Sequence, residues 1–507
     1  MPNKAHKVGQ AFHPAAFIHD TPEGIALLER FIREYEIGGL TFFYSRESVE
    51  TNFDRKTFTR EKDSIQQLAR MVDHYQSISR EPLLMSIDAE WGLGMRIDTH
   101  PPFPHPLNLA ATNQPDLMLE VGRAIALELK AVGIHFNLAP VVDVNANPAN
   151  PVIGYRSFGE DPARVFELAH AYYEGMKSEG ILGCVKHFPG HGDTAVDSHL
   201  GLPKIEKDMD ALQQMELAPF KGFIEKGVDC VMVGHLLMPA LDAEKPASLS
   251  SKVIEGLIRQ QLGFDGPVMT DALNMRSILS EDRIGQLSCQ AFAAGNDILS
   301  FSNDLEEAYA LIMQEVAEAK IEASYQRVRS LKEKAGILSG ATAPTGKVPD
   351  STPLRTRLAQ AVVTVQKPLS QSMSSEDLLI TWFNAPGPAF DQLDKLTIAK
   401  VAQLSEVEEA IAKHEYVYVA VYPPSQKPGG QFGMDPALLE ALNGIIAQKK
   451  VHLAWLGNAY ALAYVDWNAC ESVVIGYQPL PEIETEVLQY WQGRSKPGGK
   501  LVVSLPR

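Results

Sequence analysis

The chain has 507 residues, too many for one ordinary domain, and its 45% apolar and 21% charged content is that of a globular protein able to bury a core. Against 63 acidic side chains stand 46 basic ones, a formal charge of −17 that repels nucleic acid and anionic membranes. No apolar run reaches the roughly 18 residues a membrane helix needs, so neither a nucleic-acid partner nor membrane insertion is expected. Four cysteines, Cys184, Cys230, Cys289 and Cys470, stand far apart with no CxxC pair. Together with an N-terminus that lacks a signal-peptide core, they point to a reducing, cytoplasmic location, although a chain trimmed at this end could be exported.

In chain order, short apolar and β-branched runs recur through the first 300 residues. They are "QAFHPAAF" (10–17), "GGLTFFY" (38–44), "PLLMSIDAE" (82–90) and "IHFNLAPVVDV" (134–144), then "GCVKHF" (183–188), "DCVMVGH" (229–235), "GPVMTDA" (266–272) and "NDILSFS" (296–302). Helical periodicity fills most gaps, over 23–36, 63–78, 116–133 and 163–180. Eight strands alternating with helices predict a (β/α)8 TIM-type barrel over residues 1–337. Residues 338–354, rich in Gly, Pro, Ser and Thr, read as a linker. Beyond it, the runs at 361–365, 377–383, 417–422, 451–457, 472–477 and 500–505 predict a smaller α/β sandwich over 355–507. Neither part has a GxGxxG or Walker-type loop, and no cofactor is expected.

Asp88, Asp143, Lys186, His187, His235 and Asp271 all fall at or just past the end of an apolar run. In a barrel of this kind that rim is where active sites are built. The densest stretch, "CVKHFPGHGDTAVDSHLG" (184–201), holds three histidines, two aspartates and a lysine. One reading is a metal site made of His187, His191 and His199 with Asp193 or Asp197, although the spacing matches no helical ligand pattern. The other is acid–base chemistry. Asp197 and His199 lie two residues apart, on one side of an extended segment, where the carboxylate can orient the ring and favour its protonated form. Asp271 ends an apolar strand and is suited to attack an electrophilic carbon. A nucleophilic carboxylate with a separate proton donor is what retaining glycoside hydrolysis requires, although a second carboxylic acid is the usual donor.

These motifs carry a resemblance. "KHFPGHGDTAVDSHLGLP" (186–203) resembles the signature of bacterial β-N-acetylglucosaminidases of glycoside hydrolase family 3, and "IDAEWGLGMRI", "NLAPVVDVNANP", "GYRSFGEDP", "MVGHLLMP" and "VMTDALNM" agree in order and spacing. The resemblance implies Asp271 as nucleophile and His199 as acid/base oriented by Asp197. It implies Asp88, Arg96, Arg156, Lys186 and His187 as sugar-binding residues, with His235 and Asp143 behind them and His191 and Asp193 shaping the loop. The partner implied is a saccharide containing N-acetylglucosamine, a muropeptide or a chitin fragment. The alternatives are a family 3 β-glucosidase or β-xylosidase, which usually lacks the Asp-Ser-His loop, and a metal-dependent barrel hydrolase.

Overall fold

The computed structural model describes residues 2–46, 63–194, 201–275, 278, 284–302, 304–340, 342–384, 387–391 and 393–505. The chain divides into two compact units. The first comprises Met1–Phe103, Met118–Val144 and Asp161–Pro349, and the second Pro104–Leu117, Asn145–Glu160 and Asp350–Arg507. Their last boundary falls inside the stretch read as a linker.

The first unit is an α/β barrel. Its strands are β1 (Phe12–His13), β2 (Ala15–His19), β3 (Gly39–Ser45), β4 (Leu84–Ile87), β5 (Phe136–Asn137), β6 (Leu182–Phe188), β7 (Cys230–Val233), β8 (Val268–Thr270) and β9 (Leu299–Ser300). From β2 to β8 each strand pairs in parallel with the next in sequence. Met269 bridges to Ile298, β9 pairs with β1, and Gly38 N donates to Phe12 O, so the sheet curls round on itself. β1 and β2 are one strand split at Pro14, which has no N–H to give, although its carbonyl still accepts from Thr41 N at 3.0 Å. Leu84, Phe136, Leu182, Cys184, Cys230, Met232 and Met269 fill one buried cluster, so the barrel centre is packed core rather than a pore.

The intervening helices carry the start signals their sequences advertise. Thr21 caps Pro22–Glu34 and Asp161 caps Pro162–Ser178, each with proline in the first turn. All four cysteines are free and buried. Among the described residues no helix is long and apolar enough to cross a membrane.

The second unit is built on a six-stranded sheet in the order β10 (Thr364–Lys367), β15 (Ser472–Ile475), β14 (Lys450–Trp455), β13 (Tyr416–Val421), β11 (Leu378–Trp382) and β12 (Leu396–Ile398). β10 runs antiparallel to β15 and the other pairs are parallel. Two details depart from the sequence reading. β12 was not expected there, since Leu396–Ile398 is three residues long and carries little pattern. The run "KLVVSL" (500–505) forms no strand. Its backbone is satisfied elsewhere: Lys500 N donates to Ala111 O at 2.8 Å and Ser504 N to Glu160 Oε1 at 3.0 Å.

Candidate active site

Several strands of the barrel, β4 to β8, hand polar residues to the carboxyl-end rim. β4 stops at Ile87, and the chain turns through Asp88, Ala89 and Glu90. Asn137 on β5 clamps that turn, accepting from Ala89 N at 3.0 Å and donating to Ala89 O at 3.1 Å. Tyr172, on the helix Pro162–Ser178, donates to Glu90 O at 3.2 Å. The peptide direction of the turn is therefore fixed from two sides.

Four charged side chains meet over it. Asp88 accepts from Lys186 Nζ at 2.6 Å through Oδ1 and from Arg96 Nη2 at 2.6 Å through Oδ2. Glu90 Oε1 lies 2.9 Å from the same Lys186 Nζ. Arg96 also donates to Asp88 O, and its guanidinium lies 5.0 Å from the Phe43 ring centre, a cation–π contact that holds its plane. Arg96, Lys186 and Glu90 are buried, while the Asp88 side chain keeps 17% exposure, the most accessible of the four.

β6 carries Lys186 and His187 side by side. Buried Asp143 organises the bend beyond them: it accepts from His187 N and, at 2.7 Å, from His191 N, and its Oδ2 lies 2.7 Å from His187 Nδ1. A carboxylate only accepts, so His187 Nδ1 bears the proton and Nε2 is turned away from Asp143. Burial pushes the Asp143 carboxyl up, but the charge and hydrogen bond of His187 outweigh it, and the group titrates below its ordinary 3.8. Burial, with His187 nearby, brings His191 down to about 4, so its ring is neutral at physiological pH. His191 packs edge-on to His187 and pairs through Nδ1 with Thr194 Oγ1 at 2.8 Å. Gly190 has φ +127°, and a Cβ there would lie 2.7 Å from Glu216 Cβ, so only glycine fits this bend. Asp193 forms an ion pair with Lys207 at 2.7 Å.

Asp271 lies just past β8. Its N–H donates to Val233 O at 2.9 Å, and Oδ1 accepts from Ala272 N at 2.8 Å. Burial alone would raise its pKa. The nearby His187, His235 and Lys186, with the Ala272 N–H, more than reverse this and bring it to about 2. Asp271 is thus an anion at neutral pH although it is half-buried. His235 steadies the turn, with Nε2 donating to Ala272 O at 3.0 Å and Nδ1 within 2.7 Å of Ser248 Oγ.

Of the residues singled out in the sequence, Asp88, Arg96 and Lys186 form one connected group, His187 follows Lys186 on β6 and pairs with Asp143, and Asp271 lies in the field of Lys186 and His187. Arg156 lies in the second unit, at the end of the short helix Gly154–Arg156, with Nη1 donating to Val152 O at 3.3 Å. Asp197 and His199 lie outside the described residues. Among the described residues no three His, Cys, Asp or Glu side chains are grouped to hold a metal ion. Sequence reasoning passed over Glu90 and Asn137. For Glu90 a signal existed, since residues at i and i+2 of an extended segment share a side, which sets it beside Asp88. Asn137, inside an apolar run, gave none.

Residues 23–331 match the family described as glycosyl hydrolase family 3 N terminal domain. Beta-hexosaminidase A of Pseudoalteromonas piscicida is 33% identical over 374 residues, 67% of this chain and 61% of that relative, so the match spans about three fifths of the longer protein. A beta-hexosaminidase of Thiobacillus denitrificans is 35% identical over 258 residues, 50% of this chain and 71% of the relative. Among solved structures, a glycoside hydrolase family 3 beta-N-acetylglucosaminidase from Paenibacillus sp. str. FPU-7 superposes with a TM-score of 0.84 at 26% identity, covering 100% of this chain and 99% of that one. This chain therefore belongs to glycosyl hydrolase family 3: it is a glycoside hydrolase, and its named relatives are β-hexosaminidases.

Proposed function

We propose that the chain removes terminal β-linked N-acetylglucosamine from a saccharide by a retaining double displacement. Asp271 attacks the anomeric carbon while His199, oriented by Asp197, gives a proton to the departing oxygen. His199 then takes a proton from water, whose oxygen displaces Asp271 and frees the sugar. Asp88, Arg96, Lys186 and His187 hold the sugar hydroxyls, for which buried donors and acceptors in fixed places are needed. The observation that carries this reading is Asp271, a half-buried carboxylate just past β8 at the strand-end rim, held by the Ala272 N–H and kept ionised by the field of His187, His235 and Lys186. The Asp-Ser-His stretch at 197–199 and the β-hexosaminidase relatives favour an N-acetylhexosaminide over a glucoside or xyloside. The natural saccharide is a muropeptide or a chitin fragment, and the four buried free thiols fit a reducing cytoplasm.

A panel of nitrophenyl β-glycosides tests this reading. We expect kcat/KM for the N-acetylglucosaminide to exceed that for the glucoside and xyloside by about tenfold or more, a difference of about 1.4 kcal/mol in transition-state binding. A preference for the glucoside would overturn the substrate assignment. Exhaustive chelation should leave the rate unchanged, and a loss restored by zinc would favour the metal-dependent alternative.

A further inference from the structure

We infer that Glu90 is a positioning residue that aims the Lys186 ammonium into the sugar-binding group, an inference that rests on the glycosidase reading above. Lys186 is 3% exposed and Glu90 1% exposed, and the ammonium meets Asp88 Oδ1 at 2.6 Å and Glu90 Oε1 at 2.9 Å. An ammonium has three N–H bonds in tetrahedral array. Two directed at fixed carboxylates set the orientation of the whole group.

The anchors themselves are fixed. Asn137 holds Ala89 by both its N–H and its carbonyl, and Tyr172 holds the Glu90 carbonyl. Glu90 N lies 3.4 Å from Met95 Sδ, which ties the turn to the segment leading to Arg96. Lysine is a point charge on a flexible stem of four carbons, so without such anchors its position would be averaged over several rotamers.

Charge gives a second reason. Arg96, Asp88, Lys186 and Glu90 form an alternating chain of two cations and two anions. Removing Glu90 would take one of the two anions out of this chain. A buried cation that loses a partner retains its desolvation penalty without the compensating attraction. The pull of Lys186 on Asp88 would then strengthen, disturbing the one member of the chain with appreciable exposure.

The test is a double-mutant cycle on the full chain with E90Q, K186M and the pair together, using whichever aryl β-glycoside the wild type hydrolyses fastest. A residue that acts only through Lys186 has no effect once Lys186 is gone. We expect E90Q to raise KM about tenfold while kcat changes by less than about threefold, the pattern of lost uniform binding. In the K186M background, E90Q should change KM by less than about twofold. An unchanged KM in E90Q, or losses that multiply in the double variant, would overturn the proposal. Should E90Q fail to fold, E90D keeps the charge on a shorter arm. It should bring KM within about threefold of wild type and lose that effect in K186M, and the absence of such rescue counts against Glu90. Failure of the substrate reading would appear in the glycoside panel, whereas failure of this inference would appear only in the cycle.

Discussion

A carboxylate drawn partly out of water is ordinarily pushed toward its neutral form, so Asp271 relies on a favourable field from its neighbours to stay an anion. His187, His235 and Lys186 provide that field and bring the group to about 2. Replacing Asp271 with Asn should lower turnover by roughly 10⁴-fold or more, since the nucleophile is lost outright. The unfolding midpoint should move by only a few degrees, because the side chain ends at the rim and not in the packed centre. A 2-fluoro sugar should trap an adduct on Asp271, and peptide mapping to any other carboxylate would refute its role. For His199 the diagnostic is the leaving group. His199→Ala should cost about 10²–10⁴-fold on a natural disaccharide, whose alkoxide must be protonated, and far less on a dinitrophenyl glycoside, whose phenolate leaves unaided. Equal losses on both substrates would instead indicate a binding or folding role.

Between residues and whole lie the elements, and the helix Lys4–Gly9 shows how one is fastened to the rest of its unit. Its His6 lies between two carboxylates, Nδ1 at 2.7 Å from Glu36 and Nε2 at 3.0 Å from Glu81. Both acceptors require a ring proton, so the imidazole there is a cation. The Glu81 hydrogen bond is the largest influence; despite opposition from burial, it and Glu36 raise the His6 pKa above 6.5. Glu81 in turn is held at about 2, where burial alone would raise it, by His6 and by Lys332 at 3.2 Å. Because the folded value of His6 exceeds the unfolded one, its contribution is complete below about pH 6.5 and fades as pH rises through the folded value. The midpoint difference between wild type and His6→Asn should therefore be a few degrees near pH 6 and shrink by about pH 9 in thermal melts. A difference that is flat or grows with pH would show that His6 is not the charged fastener described.

At the scale of the molecule, the chain visits its second unit twice before residue 350, through Pro104–Leu117 and Asn145–Glu160. These visits are packed in. Leu107 and Ala111 are buried in the same cluster as Val419, Trp455 and Ile475. Tyr460 OH donates to Glu160 Oε1 at 2.7 Å and lies 2.8 Å from Asn145 Nδ2, and Glu160 also accepts from Ser504. Residues 350–507 expressed alone would lack these partners, exposing apolar surface of that cluster to water and leaving the Tyr460 hydroxyl without Glu160 and Asn145. We expect that fragment to melt well below the corresponding transition of the full chain, by on the order of 5 °C or more, or to be rapidly proteolysed. A fragment as stable as the full chain would show that the two early segments are decoration.

The sequence by itself determined the eight barrel runs and the residues at their ends. Both signals are local: a run of apolar residues bounded by turn residues is a strand, and a charged residue at its end has nowhere to go but the rim. Asp88, Lys186, His187 and Asp271 were legible for that reason. Three things only the tertiary structure decided. The ion pair of Glu90 with Lys186 joins residues 96 positions apart, and no local pattern carries the distance between strand ends. The backbone of 500–505 reads as a strand but is satisfied by Ala111 and Glu160, partners brought near by the chain path. The assignment of 104–117 and 145–160 to the second unit is likewise a matter of which buried surface each segment meets. Periodicity marks that a face is apolar, and packing alone chooses what it faces.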